Sequence, residues 1–395
     1  MPQNFNDLTY VIGTEETVEK MKTVSAMSPF DEKVIMFLNS VSAKLLKTGK
    51  TYSDVVTFAF WCRKAALINE QAKYDNNELR LGRGIAFHST PSNVPVNCAF
   101  SFAAGLLAGN PNIVRLPAKD FPQVKLISAA VQETLDEQPE IKPYVVFVRY
   151  AHSQEISDFF SSICAVRIVW GGDQTIQHMR QSPLPPRSKE ITFADRHSIL
   201  VLNAEAVVVT EDMERLAQDF YNDTFFSDQN ACTSPRIVIW IGNEKEKAKE
   251  RFWSAVHRLV VNKYTLAPVQ AVGKLAALYR TAANKSVHFE SHEDNFIYRI
   301  KVDTLDTALP DLKYNSGFFF EYDAKDLSEI ASICTNKCQT MTYFGLKKED
   351  IVAFIRIVAP QGIDRVVPMG KSMDFTLVWD GYDLIRELSR IIEVR

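Results

Sequence analysis

Cys232 is the residue whose type and neighbours best suit covalent chemistry. It lies in Phe225-Phe226-Ser227-Asp228-Gln229-Asn230-Ala231-Cys232-Thr233-Ser234-Pro235-Arg236-Ile237-Val238. An apolar, helix-compatible run ends there in polar residues, and a strand-like run from Arg236 to Ile241 follows at once. A thiol on a bend between two rigid elements is braced on one side and open on the other, as a nucleophile must be. The competing reading is structural, because free cysteines commonly serve as small buried hydrophobes. Other clusters carry less chemistry. His288 and His292 lie four apart with Glu290 and Glu293 interleaved, but the HExxH order is absent and a solvated polar loop fits better. Cys334 and Cys338 stand at i and i+4, which suits one inward helix face, and neither pair offers four metal ligands. Trp170-Gly171-Gly172-Asp173 opens a helix whose free N–H groups suit a phosphate, without the full GxGxxG fingerprint.

The elements that must position these residues follow from hydrophobic pattern. The first eighty or so residues read as helical. Ser28-Pro29 starts one helix, with Val34, Leu38, Val41 and Leu45 at helical spacing, and Ser53 starts a second that runs through Leu67. From Gly82 short apolar runs alternate with helices. Strands are expected at Ile85–His88, Asn112–Leu116, Tyr144–Val148 and Ala165–Trp170, with two more before Val209. This alternation argues a parallel sheet covered on both faces, which binds ligands at the carboxyl ends of its strands. A second α/β block runs from the cysteine loop to about Pro368, with helices near 245–261 and 269–283. The tail reads as a strand, Thr376–Tyr382, then a helix to Ile392.

Composition narrows the class. A chain of 395 residues holds two or three domains, and 46% hydrophobic with 24% charged residues is ordinary for a globular protein. The formal net charge of -3 gives no basic field for nucleic acid or an anionic membrane. The start, Met1-Pro2-Gln3-Asn4-Phe5, lacks a signal-peptide pattern, and no apolar run approaches the roughly 18 residues of a transmembrane helix. Six scattered cysteines suit a reducing compartment, so a cytoplasmic protein is expected.

Three separated segments resemble the aldehyde dehydrogenase superfamily. They are Thr90-Pro91-Ser92-Asn93-Val94-Pro95, the cysteine loop Asp228–Pro235, and Asp364-Arg365-Val366-Val367-Pro368-Met369-Gly370. More narrowly, the chain is similar to the LuxC-type acyl-CoA reductases, the reductase component of the fatty acid reductase that supplies aldehyde in bacterial bioluminescence. The segments pointing there are Trp170–Asp173, Lys337-Cys338-Gln339-Thr340 with Tyr343-Phe344-Gly345, and Trp379-Asp380-Gly381-Tyr382, and the similarity spans roughly residues 55–395. The resemblance implies an α/β, aldehyde-dehydrogenase-like fold with a Rossmann-like cofactor domain and a second α/β catalytic domain. Residues 1–80 would form a helical region packed on the cofactor domain, 81–215 the NADP-binding domain, 216–368 the catalytic domain, and 369–395 a terminal strand and helix.

The chemistry so implied is reduction of an acyl thioester to an aldehyde. Cys232 as thiolate would attack an acyl-CoA or acyl-protein carbonyl, expelling the carrier thiol and leaving an acyl-cysteine. The Asn93 amide and the Cys232 backbone N–H would form the oxyanion hole, and NADPH would then supply hydride. Thr90, Pro91, Arg115, Lys119, Gly171, Gly172 and Asp173 are the cofactor-binding candidates. Lys119 falls where an NAD-selecting carboxylate would stand, which favours the 2′-phosphate of NADPH. The water-activating glutamate of hydrolytic relatives is missing from Ile191-Thr192-Phe193-Ala194-Asp195-Arg196-His197. Implied partners are an acyl-CoA or acyl-carrier substrate, an acyl-protein synthetase or transferase, and further copies of the chain in a homo-oligomer. The rival readings are an oxidative aldehyde dehydrogenase, with or without CoA as acceptor, and a non-catalytic subunit of an acyl-transfer complex.

Overall fold

Residues up to Ala194 together with Phe375–Arg395 form one unit, and Asp195–Asp374 form the other. The computed structural model describes residues 7–74, 78–91, 94–291 and 294–395.

The first unit is built on six strands: β1 (Thr9–Ile12), β3 (Ala86–Ser89), β4 (Asn112–Arg115), β5 (Val145–Arg149), β6 (Val166–Trp170) and β7 (Lys189–Phe193), with a short β2 (Arg80–Gly82) outside that sheet. Their order is β1-β5-β4-β3-β6-β7, and all pair in parallel except the edge strand β1, which runs antiparallel to β5. Helices cover both faces. On one lie α2 (Glu32–Thr48), α3 (Ser53–Trp61), α5 (Asn97–Leu107) and α6 (Pro122–Glu137), and α4 (Lys64–Gln71) adds Leu67 to the same core. On the other lie α1 (Glu15–Met21), α7 (Gln154–Ile163) and α8 (Asp173–Met179). The N-terminal helices share one core with α5 and α6. Three local expectations are corrected. Thr9–Ile12 is a strand, too short for its pattern to register. The first long helix is capped by Asp31, whose side chain accepts from Lys33 N, three residues later than Ser28. The second helix breaks at Cys62 and Arg63 instead of running through Leu67.

A buried polar chain crosses this core. His88 Nε2–H donates to Asn112 Oδ1 at 2.9 Å, because the Asn112 amide nitrogen is engaged with the Asn110 carbonyl. His88 Nδ1 therefore accepts from Ser101 Oγ at 2.7 Å, and Ser101 in turn accepts from Trp170 Nε1. Glycine at 105 makes room for it, since a Cβ there would lie 2.0 Å from Asn112 Oδ1.

In the second unit β8 (His197–Asn203), β9 (Pro235–Ile241), β10 (Val287–Ser291), β11 (Tyr298–Val302), β12 (Phe318–Asp323), β13 (Cys338–Phe344) and β14 (Arg365–Pro368) make a sheet of order β10-β11-β12-β9-β8-β13-β14. Only the β10 edge is antiparallel. The central strands β8 and β9 are largely apolar because both faces are covered. Ile199, Val201, Ile237 and Ile239 face α12 (Pro268–Asn284) and α13 (Lys348–Val358). Leu200, Leu202, Val238 and Trp240 face α9 (Ala204–Val209), α10 (Met213–Asp223) and α11 (Lys245–Lys263).

The division falls at Ala194/Asp195, where the sequence suggested 215/216. The cause is pairing, for β8 takes its neighbours from β9 and β13 and not from β7. Val209 closes a helix, since the Asn203 side chain caps Ala206 N at 2.9 Å and ends the strand. Cys334 and Cys338 do not share a helix, because a 3-10 turn ends at Ile333 and a β-prone run starts β13 at Cys338. His288 lies on the edge strand β10 and not in a loop, and His292 and Glu293 lie outside the described residues. The tail returns to the first unit. Val378–Trp379 (β15) and Tyr382–Asp383 (β16) form a hairpin whose two-residue turn, Asp380-Gly381, has positive φ at both positions. The last helix, α14 (Leu384–Leu388), stops short of Ile392, and β17 (Ser389–Ile391) pairs with β2.

Candidate functional site

In the first unit the parallel strands start at β3, move outward through β4 and β5, then continue on the other side of β3 with β6 and β7. The carboxyl ends of β3 and β6 therefore flank a topological switch point, the position where such sheets bind ligands. Thr90 and Pro91 follow β3, Gly171 and Gly172 follow β6, and Arg115 ends β4. Thr90 Oγ1 donates to the Arg115 carbonyl at 2.6 Å, tying two of these ends together. The Arg115 guanidinium lies 4.4 Å from the Tyr150 ring centre, and Lys119 is exposed with its ammonium 5.1 Å from the Phe121 ring. A Cβ on Gly172 would meet nothing within 4 Å, so the backbone there is open to approach. Asp173 begins the seven-residue α8 and is exposed.

In the second unit Cys232 sits at the opposite kind of position. It precedes β9, beside the amino ends of parallel strands. The α10 helix stops at Thr224, a 3-10 turn spans Phe225–Ser227, and Asp228 and Gln229 adopt left-handed backbone with φ of 52° and 51°. Gln229 then pins the loop. Its fully buried amide oxygen accepts from Gly317 N at 2.8 Å and Phe318 N at 3.3 Å, and its nitrogen faces the carbonyls of Pro235 and Phe318. Ser234 N donates to the Ala231 carbonyl at 3.1 Å and closes a turn around the cysteine. Ser198 Oγ on β8 holds the Cys232 carbonyl at 2.7 Å.

Exposure separates the six cysteines. Cys232 is half-buried and the other five are buried. Burial pushes the Cys98 and Cys164 thiols up to about 12, and the Cys62 thiol is raised well above the usual range by the same cause. A bond to Cys334, with burial, raises Cys338 likewise. A thiolate forms most readily where water or a cation can reach the sulfur.

The late segment meets the cysteine loop from below. Asp223, at the end of α10, accepts from Gly370 N at 2.7 Å and Ser372 N at 2.9 Å, and Thr233 Oγ1 contacts Met373 Sδ at 3.4 Å. Asn93, the expected oxyanion donor, lies outside the described residues. Neither of the residues standing in place of a water-activating glutamate is poised as a base. Asp195 is exposed and paired with Lys313 at 3.3 Å. His197 is buried and its pKa is pushed down to about 4, chiefly by burial and next by Lys313. Sequence reasoning passed over Ser198, Gln229 and Arg236. Gln229 alone left a signal there, as an amide three residues before the thiol. Among the described residues no group of three or more His, Cys, Asp or Glu side chains is arranged for a metal, and no helix is long and apolar enough to cross a membrane.

Residues 14–391 match the family described as acyl-CoA reductase (LuxC). The chain belongs to the LuxC acyl-CoA reductase family. A long-chain acyl-protein thioester reductase of Photorhabdus laumondii is 21% identical over 376 residues, 90% of this chain and 72% of that protein. The protein of the same description from Aliivibrio fischeri is 26% identical over 178 residues, 43% of this chain and 36% of the relative. A Vibrio harveyi counterpart matches over 34% of its length. The chain thus spans about a third of these last two relatives. Among solved structures, a lactaldehyde dehydrogenase superposes with a TM-score of 0.68 at 11% identity, over 96% of this chain and 88% of that one. An NAD-dependent benzaldehyde dehydrogenase from Corynebacterium glutamicum gives 0.63 at 14% identity, over 99% and 95%. The LuxC-family chain has the aldehyde dehydrogenase fold.

Proposed function

We propose that the protein reduces an acyl thioester to an aldehyde through an acyl-Cys232 intermediate, with NADPH as reductant. The observation that carries this reading is the exposure of one cysteine among six, on a loop braced by Gln229 and Ser198. The Cys232 thiolate attacks the thioester carbonyl, a new C–S bond forms, and the carrier thiolate departs with the electron pair of the broken C–S bond. The Cys232 N–H and the Asn93 amide stabilise the charge that develops on the carbonyl oxygen. Asn93→Ala is therefore expected to lower turnover by about 10²–10³ with the fold intact.

A dinucleotide fits the first unit, because carboxyl ends of neighbouring strands meet there at a switch point beside the open backbone of Gly172. When bound, the reduced nicotinamide supplies hydride to the acyl group. Thr90, Pro91, Gly171 and Gly172 would line its site, Asp173 would accept from ribose hydroxyls, and Arg115 and Lys119 would face the 2′-phosphate. The carrier is coenzyme A or an acyl-protein, as in the names of the relatives. The test is mass spectrometry after incubation with acyl-CoA alone. An acyl adduct on the Cys232 peptide, absent in Cys232→Ala, supports the reading, and an adduct on another cysteine refutes it. The same measurement separates a catalyst from a scaffold subunit.

A further inference from the structure

Basic side chains gather where the tail returns to the first unit. The ribbon of β2 and β17 sets exposed Arg390 opposite Leu81, two residues before Arg83. The Arg83 backbone N–H donates to Asn110 Oδ1 at 2.7 Å, and its side-chain Nε donates to the Glu387 carbonyl at 2.8 Å. The carboxylate of the same Glu387 pairs with Lys189, which opens β7, and exposed Arg187 lies two residues earlier. Arg80 adjoins them, with Nε on Ser389 Oγ at 2.9 Å and a terminal nitrogen on the Arg386 carbonyl at 3.0 Å. Stretches 80–83, 187–189 and 386–390 thus bring their cations to one place.

Carboxylates do not match these charges. Glu78 pairs with Arg80, and Glu387 with Lys189. Among the described residues no carboxylate lies within ion-pair distance of Arg83, Arg187 or Arg390, and the terminal nitrogens of Arg83 donate to no group. Burial first, then the charges of Arg80, Arg187 and Arg390, disfavour the Arg83 cation, so these guanidiniums feel one another. The local excess stands in a chain whose formal net charge is -3. Like charges held together repel, and an anion among them turns that repulsion into attraction. Guanidinium forks fit phosphate oxygens in pairs, and the Glu387 bond fixes the Arg83 fork in advance.

Position separates this cluster from the dinucleotide. Arg83 precedes β3 and Lys189 opens β7, at the amino ends of parallel strands. Thr90 and Gly171 follow the carboxyl ends of β3 and β6, across the sheet's length.

We propose that Arg83, Arg187 and Arg390 form a second anion site, apart from the dinucleotide site, that binds a diphosphate group. Three unmatched cations from three stretches of chain suit a multiply charged anion with oxygens enough to reach them all. The diphosphate comes either free, as pyrophosphate, or as part of a nucleotide carrier such as coenzyme A. The site does not depend on Cys232 being a nucleophile.

The test is calorimetric titration of the whole chain with inorganic pyrophosphate at fixed ionic strength, with NADPH present to fill the dinucleotide site. Saturable binding is expected, weakened at least tenfold in Arg390→Gln and in Arg187→Gln. Arg83→Gln should act in the same direction. It also removes the bond to the Glu387 carbonyl, so the two exposed positions decide the matter if that variant fails to fold. NADPH binding should be unchanged in all three, and Cys232→Ala should bind pyrophosphate as the wild type does. Displacement of pyrophosphate by coenzyme A assigns the site to the nucleotide end of the carrier, and its retention assigns the site to a free diphosphate. Heats no larger than those of sodium chloride at matched ionic strength overturn the proposal. So does equal binding by the wild type and the Arg187 and Arg390 variants.

Discussion

The Ser198 hydroxyl donates to the backbone carbonyl of Cys232 at 2.7 Å, across a gap of 34 residues in sequence. Both residues stand at the amino end of the β8–β9 pair, so the sheet itself fixes the peptide that follows Cys232. Ser198→Ala leaves that carbonyl without its partner. A cost of about 1–2 kcal/mol is expected, read as a fall of roughly 2–4 °C in the melting temperature. Acylation of Cys232 should slow in parallel. An unchanged melt with unchanged acylation would show that the bond is dispensable.

The first unit should lose stability in acid through His88. Burial pushes its pKa down from 6.5 to about 4, and the Asn112 bond offsets this only in part. The folded state therefore binds fewer protons than the unfolded state between those values. Its contribution is complete above about pH 6.5 and lost as pH falls toward 4, amounting to up to about 3 kcal/mol. An NMR titration should find the His88 ring neutral down to about pH 4. A midpoint near the ordinary histidine value would contradict this account.

Cofactor choice should depend on the cations at and after the end of β4. Lys119→Glu is expected to weaken NADPH at least tenfold while leaving NADH nearly unchanged. Arg115→Ala should act in the same direction, with some loss of stability, because its guanidinium also packs on Tyr150. Binding titrations with both nucleotides check the point. Equal losses for NADPH and NADH would sink the assignment.

The acyl-enzyme should persist in buffer. Asp195 is tied to Lys313 and His197 is buried, so neither is free to activate water, and a positioned base is worth about 10²–10⁴ in rate. Adduct formed without nucleotide should survive dilution into buffer and discharge faster when coenzyme A is added. Rapid enzyme-dependent release of free acid would reveal a base, with Asp195 the first residue to replace.

Local pattern determined a good deal of this protein. The β-prone runs, the small-residue helix after Pro95, and the polar bend around Cys232 are written in consecutive residues, because period and turn chemistry act within a few positions. The order of elements was therefore legible, and the family resemblance lay in short segments of the same kind. Contacts across long separations were not. Gln229 reaches Phe318 across 89 residues and Asp223 reaches Ser372 across 149, and no local pattern records such partners. The unit boundary at Ala194, the helical end of the run to Val209, and the return of the tail to β2 were decided by which strands paired and which side chain capped a turn. So was the exposure of the thiols. The polar bend set Cys232 apart in the sequence, but only packing shows that the other five thiols are buried, and Arg236 looks like any strand residue until the fold closes neutral acceptors around its charge.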